Sequence, residues 1–442
     1  MRPRGQTSGG IGRARRRLIG TLAAAAALLV VPASAQATLG FTALDAQPSS
    51  NKQAGDQADF HIHVGFTDPS TDVHDIRIGL PPGQIGNPTV TPQCTVADFM
   101  GAGCAANTQV GSVVSNVAAL GLLPLAVNGK LFNLVPNPGE PARFGILLSP
   151  TGGLVTLGDI KLQSSVELRS DFGLDTVIDD IPNTAAGLIP IDITSMDVTL
   201  FGDPPKPPFA RNPTSCSPAT TQFTAHSYAA PATAVTGEAS YTPTGCENED
   251  FSPSFSAIVG GANTSMKTSV TTSIDQDLDE AGLVKARVVI PPDLNPDVAL
   301  LGNRCSAADF ETSNCPPNSV IGSVVAASPL LSQPLAGNVV FVETGGTPDI
   351  GLDLQGQLHL LLRGSLGLDK VVVFDGLPDI PIAHFALTFP SAPGLLIASR
   401  NLCVPPPPLF HADFTGYNGA TTAVDSSATV QGACGPNAAT KC

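Results

Sequence analysis

Apolar and polar residues alternate along many short segments of this chain. In residues 58–66 every second position is apolar, and polar or small residues lie between them. Residues 284–290 repeat the pattern, with Lys285 and Arg287 at the intervening positions. A period of two is typical of a strand with one buried and one solvent-facing side. Residues 358–362 and 371–374 are mainly apolar and indicate more deeply buried strands.

Clusters of turn-forming residues separate these segments, as in residues 136–141 and 345–349. After residue 37 we find no segment with a long, capped period of 3.6 residues. The pattern therefore predicts an all-β fold, with β-sandwich units whose faces pack together. Immunoglobulin-like modules are the variant that we favour.

The chain repeats itself at an offset of 211 residues. Residues 94–114 and 305–325 are identical at 10 of 21 positions without a gap. Upstream, the segment Leu80-Pro81-Pro82-Gly83 corresponds to Ile290-Pro291-Pro292-Asp293, and downstream Arg169 is aligned with Arg363. So many similarities in one order predict two tandem units, which we place at residues 38–250 and 251–442.

All nine cysteines follow residue 37, and eight of them form two sets of four. The first separation is 10 residues in both sets, and the last is 30 in one and 31 in the other. Structural zinc sites favour much shorter spacings or a nearby pair of histidines, whereas an exported chain favours disulfides. The fixed separations favour the pairs Cys94–Cys104, Cys216–Cys246, Cys305–Cys315 and Cys403–Cys434. Cys442 is left over, either as a free thiol or as a link between two chains.

Residues 1–37 have the order of an export signal. Six arginines precede the apolar residues 18–31, and an Ala-x-Ala site follows at residues 33–35. The apolar segment is shorter than the roughly 20 residues that span a bilayer as a helix, so a retained anchor is the weaker interpretation. Residues 15–19 are typical of a twin-arginine signal, and the general secretory route is equally compatible. We expect a secreted or extracytoplasmic protein without a membrane span after residue 37.

Charge and composition exclude several classes of partner. The chain has a net charge of −15, and residues 1–37 hold six of its 22 basic residues and no acid, so the rest carries −21. Such a chain lacks the basic face of a nucleic-acid binder, and anionic lipid surfaces repel it. With no Trp and three Tyr, it is also poorly equipped for stacking sugars.

The sequence contains no motif that predicts catalysis. The nucleophile elbow G-x-S-x-G, the zinc motif H-E-x-x-H and phosphate-binding loops are absent. His61 and His63 could bind zinc from one strand face, and Asp179 with Asp180 could cleave a glycosidic bond. Solvent-facing strand positions and an acidic loop are the simpler interpretations. We therefore predict no catalytic residues and no cofactor.

Asp275, Asp277 and Asp279 form a weak calcium candidate. Alternating carboxylates begin a calcium-binding loop because they supply hard oxygen ligands. Here the sixth position is Glu280 instead of glycine, and the twelfth is Ala286 instead of an acid. A solvated acidic loop is the favoured interpretation, and calcium is the alternative.

Each unit runs from a Leu/Ile-Pro-Pro element through C-x-x-A-D-F and C-x-x-N-[TS]-x-[VI]-G-S-V-V to two late cysteines. This arrangement resembles a family of secreted tandem-repeat proteins of GC-rich Gram-positive bacteria that has no established activity. The resemblance covers nearly all of the chain after residue 37. It implies an exported, modular architecture and no catalytic residues.

Three functions are compatible with these observations. The leading expectation is a non-enzymatic structural, adhesive or envelope-associated protein, with an envelope component or another protein as partner. The alternative is an extracellular ligand-binding module, with calcium as one ligand. A hydrolase whose site is assembled from distant residues is the third.

Overall fold

Strands dominate the chain, as the alternating pattern predicts. The computed structural model describes residues 38–67, 72–150, 158–185, 187, 189–260 and 266–432. The described part forms two large antiparallel sheets and contains disulfides, which confirms the all-β prediction. The predicted export signal, residues 1–37, lies outside the described residues.

The first sheet and its small companion sheet contain the strands up to residue 241. In chain order these are β1 (Phe41–Pro48), β2 (Phe60–Phe66), β3 (Val73–Leu80), β4 (Ile85–Gly86), β5 (Gln109–Ala119), β6 (Leu123–Leu134), β7 (Arg143–Ser149), β8 (Ile160–Leu168), β9 (Leu174–Ile178), β10 (Thr184–Ala185), β11 (Ile189–Leu200), β12 (Ala210–Arg211), β13 (Ala219–Ser227) and β14 (Ala230–Tyr241). β4 pairs with β12 in the small sheet, and the other strands form the large one.

The second sheet contains the remaining strands. They are β15 (Ser254–Gly260), β16 (Lys267–Asp275), β17 (Leu283–Val289), β18 (Leu294–Pro296), β19 (Val320–Ala327), β20 (Leu335–Val342), β21 (Asp349–Gln355), β22 (His359–Leu366), β23 (Val371–Asp375), β24 (His384–Phe389), β25 (Leu396–Ala398), β26 (Leu409–Gly416), β27 (Thr421–Ser427) and β28 (Thr429–Gln431).

The two large sheets share one strand order. The first runs β1-β2-β11-β5-β6-β7-β8-β9-β3-β13-β14. In the second, the segment β16-β24-β19-β20-β21-β22-β23-β17-β26-β27 follows the same order, and β15 pairs with β16 as β1 pairs with β2. Neighbouring strands are antiparallel except for β15 and β28. Corresponding positions in the two units can therefore be identified from the ladders.

Each sheet folds over on itself and encloses its own hydrophobic core. In the first sheet, the ring of Phe41 on β1 lies 6.4 Å from that of Phe223 on β13, near the opposite edge. Phe60 on β2 similarly lies 6.0 Å from Tyr241 on β14. The layers that face each other across the core thus belong to one continuous path of strands. This arrangement is sandwich-like but, unlike an immunoglobulin domain, has no two separate sheets.

Two five-residue helices lie at equivalent places in the units. Helix α1 (Val96–Met100) and helix α2 (Ala307–Glu311) each follow the first cysteine of their unit. Phe99 of α1 packs against Gly145, and Phe310 of α2 packs against Gly351. A Cβ atom on either glycine would lie within 3 Å of the ring, so these strand positions have no room for a side chain. Single turns of 3-10 helix occur at Ala106–Thr108, Cys246–Asn248, Leu300–Gly302 and Pro317–Ser319.

Disulfides close loops in both units, and two of them lie beside these helices. The structure joins Cys94 to Cys104, Cys216 to Cys246 and Cys305 to Cys315, the pairs that the separations favour. Cys403 is also a disulfide cysteine. Its expected partner Cys434, and the odd Cys442, lie outside the described residues.

Candidate functional site

A cavity of about 150 Å³ lies inside the second sheet. Strands from nearly the whole length of the strand order contribute residues to the cavity wall. The cavity therefore arises because the sheet folds over on itself. The lining residues include Ile274, Val288, Leu352, Leu362, Phe374 and Phe385. Close-packed protein interiors contain few voids larger than a water molecule. A cavity of this size is therefore a distinct feature of the second unit.

The wall of the cavity is almost entirely apolar. Thr272, Gln276 and Ser328 are the polar side chains among the described residues that line it. Gln276 is already engaged, because its Nε2 donates a hydrogen bond to the carbonyl oxygen of Ala281 at 2.5 Å. Water needs two to four polar partners to occupy a cavity, so this wall favours an apolar occupant.

The first sheet holds smaller voids in the same region. Two voids of about 50 and 60 Å³ replace the single cavity, and Val113, Ile146 and Ile178 line both of them. These three side chains thus separate the two voids.

The two sheets differ in side-chain size at two corresponding ladder positions. Phe144 pairs with Ser164 in the first sheet, whereas Ile350 pairs with Gly364 at the corresponding place in the second. Likewise, the pair of Phe223 and Ile78 is replaced by the smaller pair of Ala412 and Val288.

The segment Leu377–Ile382 closes one side of the cavity. Pro378, Ile380 and Ile382 line the cavity, while the side chain of Asp379 bonds to Thr214 in the first unit. The Asp379 Oδ2 atom accepts a hydrogen bond from the backbone nitrogen of Thr214 at 2.9 Å. The wall of the second-sheet cavity is therefore anchored by a residue of the first unit.

The anchor is a buried polar cluster between the two units. Burial raises the pKa of Asp379, and the hydrogen bonds from Thr214 and the charge of Arg211 oppose that shift. Arg211 is itself largely buried, and the loss of solvation lowers the pKa of its guanidinium group. Its Nε donates to the carbonyl oxygen of Gly55 at 2.7 Å, and Nη2 donates to that of Glu280 at 3.1 Å. The contact between the units is thus built of specific polar groups.

The calcium candidate residues do not converge on one point. Asp275 ends β16 and pairs with His384 Nδ1 at 2.6 Å, while Asp277 and Asp279 are exposed in the following loop. Within the described part of the chain, no group of three or more His, Cys, Asp or Glu side chains has the geometry of a metal site. Calcium binding by these three residues stays a prediction.

The histidines singled out in the sequence lie beside aspartates. His61 and His63 both face Asp197 on β11, at 3.5 and 2.7 Å. Asp180 lies 3.6 Å from His74, and Asp179 is exposed beside it. The pairing with Asp197 depends on the β2–β11 ladder, so the sequence alone gives no signal for it.

Ser313, His359 and Asp353 form a constellation that resembles part of a hydrolase site. The Ser313 hydroxyl lies 2.8 Å from His359 Nε2, and Asp353 Oδ1 lies 2.9 Å from the same nitrogen. A catalytic triad uses both imidazole nitrogens, one toward the nucleophile and one toward the acid. Because both contacts here share Nε2, this arrangement cannot relay a proton from the serine to the aspartate.

The described residues include no helix long and apolar enough to cross a membrane. This finding concerns the part of the chain that begins at residue 38.

Comparison with known proteins gives structural likenesses but no family. The chain matches no protein-family model and no curated protein. Among solved structures, it is similar to a "Putative membrane anchored protein from Corynebacterium diphtheriae". The sequence identity is 10%, the match covers 88% of this chain and 91% of that chain, and the TM-score is 0.18. At that TM-score the likeness establishes neither family nor function.

Proposed function

We propose that this chain is an exported, non-enzymatic protein of the cell envelope that binds an apolar molecule inside its second unit. The single observation that carries this proposal is the cavity of about 150 Å³ with its apolar wall. The proposal favours the ligand-binding alternative of the sequence over a purely structural role. It replaces calcium by an apolar ligand.

The energetic cost of the cavity supports a ligand. An unfilled cavity destabilises a protein by about 24 cal/mol per Å³, which is about 4 kcal/mol for this volume. Folded domains have a total free energy of unfolding of about 5–15 kcal/mol. The first unit, with the same strand order, keeps its voids to about 50 and 60 Å³. A fold of this type therefore can pack more tightly, and the second unit does not.

The wall defines the chemical class of the ligand. The cavity offers no charged side chain among the described residues that line it, so a buried charge on the ligand would be unpaired and costly. A hydrocarbon chain or another apolar body fits this environment. A small neutral polar group on the ligand could contact Thr272 or Ser328.

Two other candidate sites are less suitable than the cavity. The carboxylates at Asp275, Asp277 and Asp279 are dispersed, and Ser313 lacks a proton relay. These arrangements favour a binding protein over a calcium module or a serine hydrolase. Exported proteins commonly carry disulfides, so the four disulfide cysteines of the first unit are compatible with an extracytoplasmic address.

The proposal is tested by titration calorimetry with benzene as the probe, because an apolar cavity of about 150 Å³ accommodates a molecule of that size. The wild-type protein should bind the probe with a stoichiometry of one. Ile350→Phe introduces the residue that the first unit has at the corresponding position, and it should weaken binding by about tenfold or more, which corresponds to about 1.4 kcal/mol. Leu368→Phe, at an exposed position, is the matched control and should bind normally.

Two results would overturn the proposal. One is wild-type protein that neither gives a heat of binding with the probe nor gains thermal stability in its presence. The other is equal binding by wild type and Ile350→Phe, which would place the probe outside the cavity. Either result would restore the structural or adhesive expectation.

A further inference from the structure

The hairpin of β5 and β6 in the first unit ends in exposed leucines. The exposed fractions of Leu120, Leu122 and Leu123 are 59%, 84% and 61%. β5 has 11 residues and β6 has 12, whereas the corresponding strands β19 and β20 have 8 each. At about 3.3 Å per residue the hairpin of the first unit is about 10 Å longer. The extra length ends in these leucines.

The turn at the end of this hairpin has an unusual choice of residues. Leu120 and Gly121 both have positive φ, 54° and 68°, and the backbone nitrogen of Leu122 donates a hydrogen bond to the carbonyl oxygen of Ala119 at 3.2 Å. Asn or Asp usually occupies the first such position in a hairpin turn, because leucine is strained in the left-handed region. An apolar side chain thus stands where local structure favours a polar one.

In the corresponding hairpin of the second unit the leucines are partly buried. Leu331 lines the cavity of its own sheet, and Leu330 is partly buried. Exposed leucines are therefore not a general consequence of this hairpin. They are a property of the first unit.

The charge around the tip is also exceptional for this chain. Residues 117–127 contain no charged residue, although the chain after residue 37 carries a net charge of −21. Asp192, which pairs with Ala118 across β11, and Lys130 are the nearest charged residues along the three strands. One acid and one base leave the hairpin end close to neutral.

These observations identify the kind of surface that the tip fits. We propose that the tip, residues 119–125, inserts shallowly into the interface of a neutral lipid layer. The tip presents three exposed leucines at this end of the sheet, and the lipid interface is soft and accepts apolar side chains. A second copy of this chain is disfavoured as the occupant because both copies carry the same strong negative charge. The few leucines involved predict weak, reversible binding.

The absence of tryptophan from the chain allows a site-specific test. In Leu122→Trp the introduced tryptophan is the only one in the chain. Its emission therefore reports the environment of the tip, even if another part of the protein touches a vesicle. With phosphatidylcholine vesicles we expect a blue shift of its emission and quenching by brominated acyl chains. Leu368→Trp, on an exposed residue of the second unit, should show neither effect. Adding Leu123→Ser to Leu122→Trp should reduce the blue shift.

Three outcomes would overturn the proposal. Emission of Leu122→Trp that vesicles leave unchanged would show that the tip does not enter lipid. A blue shift that depends on protein concentration without vesicles would assign the tip to a second copy. An equal response from Leu368→Trp would show adsorption without use of the tip. The test is independent of the cavity, since Ile350→Phe in the Leu122→Trp background should leave the vesicle response intact.

Discussion

The hydroxyl group of Thr214 in the first unit lies 2.5 Å from Asp379 Oδ1 in the second, with both residues buried. The same hydroxyl oxygen accepts a hydrogen bond from the backbone nitrogen of Gly282 at 2.9 Å. One threonine side chain therefore connects two segments of the second unit. One of them, Leu377–Ile382, borders the cavity, so the contact between units also shapes the proposed ligand site.

Replacement of Thr214 should reveal the strength of this contact. Thr214→Val keeps the shape of the side chain but removes the hydrogen bonds of the hydroxyl group with the backbone nitrogen of Gly282 and with Asp379 Oδ1. Because both groups are buried, we expect the free energy of unfolding to fall by about 3 kcal/mol. Thr214→Ser keeps the hydroxyl group and should cost only about 1 kcal/mol for the lost methyl group. Urea denaturation checks both values, and equal losses would contradict the role of the hydroxyl.

The pKa of Asp379 predicts a pH dependence of stability. Burial raises this pKa, so the folded state holds the proton more tightly than the unfolded chain does. The contribution of Asp379 to stability is then fully present below the unfolded-state pKa of about 4, and it is lost as the pH rises through the folded-state value. The group cannot titrate in Asp379→Asn.

The measurement is the difference in melting temperature, wild type minus Asp379→Asn, between pH 4 and pH 7. We expect this difference to be most favourable to the wild type near pH 4 and to decrease toward pH 7. Other carboxylates, such as Asp59, whose pKa is lowered by hydrogen bonds from Lys206 and from the backbone of Gly202 and Asp203, titrate in both proteins and cancel in the difference. A difference that increases with pH would refute the assigned direction.

The sequence contains enough information for the strands and for the short disulfide loops. Alternation in residues 58–66 and the common separation of 10 between cysteines depend only on local spacing. The five-residue helices were not predicted, although their start signal is visible. Thr95 and Ser306 each accept a hydrogen bond from the backbone nitrogen three residues later, as N-cap residues do.

Features that depend on register could not be predicted. The alignment of Arg169 with Arg363 is wrong in the structure. Arg363 on β22 pairs with Gly351 on β21, and Gln163 on β8 pairs in the same way with Gly145 on β7. The structure therefore aligns Arg363 with Gln163, whereas Arg169 follows the end of β8. The cavity also depends on register, because the side chains that line it come from strands that are distant in the sequence. Without the strand pairing, the sequence does not show that Ile350 lies opposite a glycine and Phe144 opposite a serine.

Removal of the two short disulfides should have nearly equal costs. Cys94–Cys104 and Cys305–Cys315 both span 10 residues and hold equivalent helices against equivalent strands. In the chain-entropy model, loss of either disulfide reduces the free energy of unfolding by about 3 kcal/mol. Denaturation of the two double Cys→Ser variants, with ligand-free wild type as reference, checks this. Costs that differ by more than about 2 kcal/mol would show that the native surroundings of the loops, and not their length, control the effect.

The packing of the first sheet provides the reciprocal test of the cavity. Phe144 is buried, and its ring meets that of Phe209 edge-on with 5.8 Å between centroids. Phe144→Ile removes this contact and enlarges the void of about 60 Å³, which Phe144 lines. We expect the free energy of unfolding to fall by about 1–3 kcal/mol. The enlarged void stays well below the volume of the second-unit cavity, so the variant should bind no second equivalent of the probe.

The ladder relationship between Phe144 and Ile350 makes the opposite change in the second unit informative. Ile350→Phe fills part of the cavity, so it should raise the melting temperature of the ligand-free protein while it weakens binding of the probe. Thermal unfolding of both variants, with and without the probe, separates stability from binding. If Ile350→Phe lowered the melting temperature and left binding unchanged, the second unit would already be packed at this position. The probe would then bind outside the cavity.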